Sequence, residues 1–136
     1  MSCVLRIQGN KFKAQGYLIE TSFKAYKTWQ IGEPVIPKRK DISHPIANGF
    51  NIDVSAANFD QFKKQKNDAT KFLKNNFNKL KRLYEFGLSE SDSSTLDFAI
   101  NTRMYDVGCQ VDRFEPDLLR LAGELNFTIE LSQYKT

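Results

Sequence analysis

Residues 59–86 read FDQFKKQKNDATKFLKNNFNKLKRLYEF, and the spacing of their apolar residues decides how the rest of the chain must be arranged. At 100° per residue, the apolar side chains fall on one side and most of the basic side chains on the other. This pattern predicts a long helix with Asn58 as N-cap and Gly87 as C-cap, or two shorter helices that meet at residues 75–76. Only Lys66 interrupts the apolar side, which needs a second layer to pack against.

Shorter segments on either side of this helix alternate between apolar and polar residues and predict strands. A second amphipathic helix, opened by Pro116, precedes the last of them. This order of elements predicts an α+β fold in which helices pack on one face of a mostly antiparallel sheet, as a two-layer sandwich. The clearest strand segments are residues 2–8, 50–55, 95–105, 109–111 and 127–132.

The composition indicates one globular domain that spans residues 1–136, since 40% of the residues are hydrophobic and 26% are charged. We find neither a secretory signal nor an apolar run long enough to cross a membrane, so we expect a cytoplasmic protein without a membrane partner. The net charge is +4. Residues 60–85 hold eight basic and three acidic residues, so the positive excess lies in the long helix.

The predicted sheet has one face that is polar. One interpretation is a charged binding surface, or an acid–base pair formed by Asp53 and Asp97. The other is a solvated face that is completed by cross-strand ion pairs. The residues expected on this face are Arg6, Asp53, Asp97, Arg103 and Glu130.

Residues 29–45 form a long segment that is rich in proline and glycine, which predicts a loop or an irregular edge. Trp29 at its start is either part of the core or an anchor for a partner. The same segment contains the basic triplet at residues 38–40, which would extend a basic surface if it lay beside the long helix.

The basic side of the long helix supports two interpretations. It could track the phosphates of a nucleic acid, or it could be an ordinary solvated helix face, since the aromatic residues needed for base stacking lie on the opposite side. The residues that would contact nucleic acid are Lys64, Lys71, Lys74, Lys81 and Arg82.

The residue types needed for several kinds of chemistry are scarce. His44 is the single histidine, so no His-rich metal cluster can form, and we predict no metal site, no cofactor and no catalytic residue. Cys3 and Cys109 lie in apolar surroundings and are expected to be buried free thiols.

Three features together resemble a known bacterial family: the stretch WQIGE at residues 29–33, the stretch FEPDLLRLAGELN at residues 114–126, and a last strand that ends in Tyr134. The chain is similar to the family called domain of unknown function 4279. It departs from that pattern at Phe50, where we expect a tryptophan, and at residues 132–133, where we expect an acid. The resemblance implies a fold and a bacterial source but no reaction, and some small domains of this kind resemble immunity partners of toxins.

These observations together predict a non-enzymatic, cytoplasmic bacterial module that binds another protein, as an immunity or accessory factor. The alternative is a nucleic-acid-associated protein that uses the basic side of the long helix. The sequence leaves the partner and the oligomeric state open.

Overall fold

The computed structural model describes residues 1–33, 46–105 and 107–135. Strands and helices alternate irregularly along the chain, and the long helical segment is divided into three pieces. In chain order the elements are β1 (Cys3–Gly9), α1 (Ala14–Thr21), β2 (Lys27–Trp29), β3 (Asn48–Ser55), α2 (Phe62–Asn75), α3 (Phe77–Lys81), a 3-10 helix (Arg82–Phe86), β4 (Ser93–Asn101), α4 (Pro116–Glu124) and β5 (Thr128–Tyr134).

The strands form one sheet in the order β2-β3-β1-β4-β5. The pairs β1–β3, β1–β4 and β2–β3 are antiparallel, and β4–β5 is parallel. A parallel pair needs a crossover connection, and α4 lies in the connection between β4 and β5. The predicted α+β class and the mostly antiparallel sheet are confirmed.

The core lies on one face of the sheet. Cys3, Leu5 and Ile7 of the central strand are fully buried, and residues from each of α1 to α4 join the same cluster. The ring of Tyr17 in α1 stacks on Phe50 of β3, with centroids 5.8 Å apart. Such contacts between helices and one sheet face are those expected of the predicted two-layer sandwich.

The helical segment is interrupted at Asn76. The prediction of two shorter helices is therefore confirmed, and the prediction of one uninterrupted helix is wrong. The Asn76 Nδ2 group donates to the carbonyl oxygen of Phe72 (2.9 Å), which satisfies a helix-end acceptor. The predicted start is also wrong, because α2 begins at Phe62 and Asn58 belongs to the preceding turn. Gly87 ends the segment as predicted, with a φ of 89° that favours glycine.

Lys66 interrupts the apolar side of α2 because it connects α2 to α4. Its Nζ donates to the carbonyl oxygen of Arg113 (2.7 Å) and to Oε1 of Glu115 (2.9 Å), just before α4. It also lies 4.6 Å from the centre of the Phe62 ring. The hydrogen bond from Lys66 lowers the pKa of Glu115. The lysine is thus buried with its charge paired, as a buried cation requires.

β4 ends at Asn101, four residues earlier than predicted. Asn101 pairs with Tyr134, the last residue of β5, so the segment beyond β4 runs past the end of this neighbouring strand. The predicted strand at residues 109–111 is absent, and Cys109 is exposed rather than buried. Cys3 is buried as predicted, and burial raises the pKa of its thiol.

Residues 34–45, with His44 and the basic triplet at residues 38–40, lie outside the described residues. Most of the predicted loop at residues 29–45 therefore lies there as well. Within the described part of the chain, no helix combines the length and the apolar character needed to cross a membrane.

We predict that Lys66→Ala lowers the free energy of unfolding by about 1–3 kcal/mol, because it leaves the Arg113 carbonyl without its donor. Lys66→Met, which keeps most of the apolar stem, should recover part of this loss. Lys64 is a matched control on the same helix, since its Nζ forms an exposed pair with Asp68 at 3.1 Å. Lys64→Ala should cost less than about 1 kcal/mol in urea unfolding. Equal losses for Lys64→Ala and Lys66→Ala would contradict the connecting role of Lys66.

Candidate functional site

The sheet face opposite the core, here called the outer face, brings together four of the residues predicted for it. Residues directly opposite each other in neighbouring strands share a face. Val4 of β1 pairs with Asp53 of β3 and with Asp97 of β4, and Asp97 pairs with Glu130 of β5. Arg6 follows Val4 by two residues and lies on the same face.

Two of these charges form an ion pair in the middle of the sheet. The guanidinium of Arg6 lies 3.7 Å from Asp97 Oδ2, and the Ser132 hydroxyl donates to Asp97 Oδ1 (2.8 Å). Asp53 and Glu130 are exposed, and neither has a cationic partner within 4.0 Å among the residues the structure describes. The outer face therefore has a neutralised centre, exposed acidic groups in β3 and β5, and the exposed Lys27 in β2, which lies opposite Asn51 of β3.

Asp53 and Asp97 do not form a close carboxylate pair. They lie on either side of Val4 with one strand between them, which separates their strands by about 10 Å. A shared proton requires two oxygens within hydrogen-bond distance. This placement favours the binding-surface interpretation over the acid–base pair.

Arg103 does not lie on the outer face, because β4 ends before it. Its guanidinium instead donates to Asp112 Oδ1 (2.6 Å), and its backbone N–H donates to Gln110 Oε1 (2.6 Å). Gln110 Nε2 in turn donates to Asp112 Oδ2 (2.8 Å). These bonds close the base of a loop whose described residues are 102–105 and 107–111, here called the apolar loop.

Burial alone would raise the pKa of Asp112, whose side chain is 7% exposed. The hydrogen bonds from Arg103 and Gln110 outweigh this effect, so the pKa lies below its ordinary value. The ionised carboxylate is therefore the form that holds the base of the apolar loop together.

The apolar loop exposes large apolar side chains. The sequence pattern did not predict that these side chains form a surface. Their alternation with polar residues is typical of a strand, which is why residues 95–105 and 109–111 were predicted as strands. Apolar side chains clustered at a surface are typical of interaction sites. Their exposed fractions are 48% for Met104, 58% for Tyr105, 54% for Val107 and 66% for Val111.

Trp29 lies on the outer face in β2, at the edge of the sheet farthest from β5. It is half-buried and lies outside the core cluster. It pairs with Gly49 of β3, and a Cβ at Gly49 would lie 2.7 Å from the indole Cζ2. The tryptophan therefore packs over a glycine of the neighbouring strand. The core placement considered from the sequence is wrong, and the partner-anchor interpretation stays a prediction.

Asn51 lies between Trp29 and the ion pair on the outer face. It is 8% exposed, and its Nδ2 donates to the Tyr26 hydroxyl (3.3 Å). Its Oδ1 is buried without a hydrogen-bond partner in the structure as described. Such an acceptor is uncommon in a folded protein and marks a point where an added donor would stabilise this face.

Three of the five residues predicted to contact nucleic acid are paired with acids. Lys71 and Lys81 have no acid within 4.0 Å in the part of the chain that the structure describes, and the Lys81 Nζ lies 5.4 Å from the centre of the Phe77 ring. Pairing reduces the charge available to phosphates. The pairs are Lys64 with Asp68, Lys74 with Asp117, and Arg82 with Glu20 and Glu85.

Comparisons with protein-family models, curated proteins and solved structures find no match. The resemblance to domain of unknown function 4279 therefore stays a prediction. Among the described residues, no three His, Cys, Asp or Glu side chains form a group that could hold a metal ion.

We predict that Asp112→Asn lowers stability at neutral pH and flattens its pH dependence. A carboxylate whose pKa is lower in the folded state stabilises the fold above its unfolded pKa of about 4 and stops doing so as the pH falls through its folded pKa. Urea unfolding between about pH 2 and pH 7 measures this. Arg103→Ala should have a similar effect, and a double-mutant cycle should give a coupling of about 0.5–3 kcal/mol. Additive losses would show that the two side chains act independently.

Proposed function

We propose that this chain is a non-enzymatic module that binds another protein through the outer face and the adjoining apolar loop. One observation supports this most: the two surfaces meet at the ends of β4 and β5. The Thr102 N–H donates to the Tyr134 carbonyl oxygen (2.9 Å), so the apolar loop starts beside the last residue of β5. Apolar anchors next to a polar, charged surface are the usual composition of a protein interface.

Two further features agree with a binding role. The described helices contribute to the core cluster on the opposite face of the sheet, so the outer face remains accessible for a partner at exposed residues such as Asp53 and Glu130. Asp97 on the outer face and Asp112 at the base of the apolar loop each lie in an ion pair with an arginine. The hydrogen bonds from Arg103 and Gln110 lower the pKa of Asp112, so this carboxylate is a weaker proton acceptor.

The resemblance to domain of unknown function 4279 supplies the setting of this proposal. It implies a bacterial source, and an immunity or accessory factor in the cytoplasm is the role that we propose for the chain there. In that setting the partner is a protein that the module neutralises or assists by occupying its surface.

We expect affinity capture of the tagged chain from a lysate of its source cells to retain a specific protein. Asp53→Arg and Met104→Asp change the outer face and the apolar loop at exposed positions, so both should reduce the captured amount while the fold remains intact. Lys71→Glu is the matched control, since it reverses a charge on an exposed helix position away from both surfaces. Equal capture by all three variants would contradict the proposed surface.

The alternative function, nucleic-acid binding, relies on Lys71 and Lys81 together with cations that must leave their acidic partners. A titration with labelled single- and double-stranded oligonucleotides at about 50 and 200 mM salt tests it, because phosphate contacts weaken steeply with salt. We expect no specific binding at either salt concentration. Tight binding at low salt that is lost at high salt and in a variant with Lys71, Lys74 and Lys81 replaced by alanine would favour the alternative.

A further inference from the structure

β5 is an edge strand with an open side. It spans Thr128–Tyr134 and, within residues 1–33, 46–105 and 107–135, pairs with β4 alone. Ile129 and Leu131 point toward the core and pack against the core cluster. Both side chains are nevertheless only half-buried. An additional strand beside β5 would cover these two side chains.

The direction of the backbone groups along β5 can be assigned. Tyr134 pairs with Asn101 of β4, and its carbonyl oxygen accepts a hydrogen bond from the N–H of the next residue, Thr102. The backbone N–H and C=O groups of Tyr134 therefore point toward β4. Backbone groups alternate in direction along a strand. The N–H and C=O groups of Ile129, Leu131 and Gln133 therefore point toward the open side.

β5 has few of the features that protect an edge from pairing. Natural edge strands are commonly short or interrupted, or they carry lysine or proline. β5 is seven residues long, contains neither lysine nor proline, and pairs with β4 without a register shift. The opposite edge, β2, has only three residues and begins with Lys27.

The charges on β5 indicate what kind of strand would fit. Glu130 lies directly opposite Asp97, and like charges in this position repel. Asp97 is paired with Arg6, whereas Glu130 has no cation within 4.0 Å in the described ranges. A strand on the open side would place one side chain directly opposite Glu130, and a cation there would offset the repulsion.

We propose that the partner docks by adding an extended segment to β5 as a sixth strand, with a lysine or arginine opposite Glu130 and apolar residues on either side of it. The apolar neighbours would cover Ile129 and Leu131 on the core side of the sheet. This proposal rests on the protein-binding function proposed above and specifies how the partner is recognised.

A second copy of β5 does not meet this description. If the β5 strands of two copies paired with both cores on the same side of the joint sheet, outer-face residues of one copy would lie opposite outer-face residues of the other. The outer-face residues of β5 are Thr128, Glu130, Ser132 and Tyr134, and none of them is a cation. The charge pattern therefore favours a segment of another protein.

A synthetic nine-residue peptide with the central sequence Thr-Val-Lys-Val-Thr is the probe. In NMR titrations of the full chain, it should shift the backbone amide signals of Ile129, Leu131 and Gln133. A control peptide with glutamate in place of the lysine should bind about three- to tenfold more weakly, and Glu130→Lys should reverse this preference. Equal affinity for both peptides, or no shift of these signals with either, would overturn the proposal.

Gln133→Pro removes an open-side N–H at an exposed position without removing a bond to β4, which is where an edge strand tolerates proline. It should bind the lysine peptide at least tenfold more weakly, whereas Gln133→Ala should bind as the wild type does. Unchanged binding by Gln133→Pro would overturn the proposal. Self-association that Gln133→Pro abolishes would also overturn it, in favour of a second copy.

The two proposals fail in distinguishable ways in the capture experiment. Capture that Asp53→Arg reduces and Gln133→Pro leaves unchanged would overturn strand addition and leave the protein-binding function standing. Capture that both substitutions reduce supports both proposals. Capture that neither substitution nor Met104→Asp affects would overturn both.

Discussion

The alternation of side chains along β1 is the constraint on which the rest of the structure depends. β1 is the central strand, and its residues Cys3, Leu5 and Ile7 are fully buried while Arg6 lies on the other side. A shift of this pattern by one residue would move the whole apolar set to the wrong face. The helices must therefore bury their apolar sides on one face only, and the opposite face is left to polar and charged residues.

Features that follow from local periodicity could be predicted from the sequence. The alternation in β1, β3 and β4 and the amphipathic pattern of α4 predicted these elements, since the strand and helix periods alone decide which side chains share a face. For the same reason Arg6, Asp53, Asp97 and Glu130 could be placed on one face. Their placement required the strands to lie in one sheet but did not require knowledge of their order.

Features that depend on residues distant in the chain could not be predicted in this way. The alternation continues through Arg103, yet β4 ends at Asn101, opposite the last residue of β5, and Arg103 binds Asp112 instead. Lys66 interrupts an apolar pattern, and the reason lies in its hydrogen-bond acceptors just before α4, far along the chain. The acids that neutralise Lys74 and Arg82 belong partly to other helices. Side-chain pairing of this kind leaves no periodic signal.

The central position of β1 has a consequence for how the protein is made. Cys3 pairs with Ser55 on one side and with Phe98 on the other, so β1, which is synthesised before the other four strands described, also needs the most distant partners. Contacts between distant parts of a chain form slowly because a long loop must close first. The apolar side of β1 therefore stays partly uncovered until β4 has been synthesised, which prolongs the period in which this strand is exposed to aggregation.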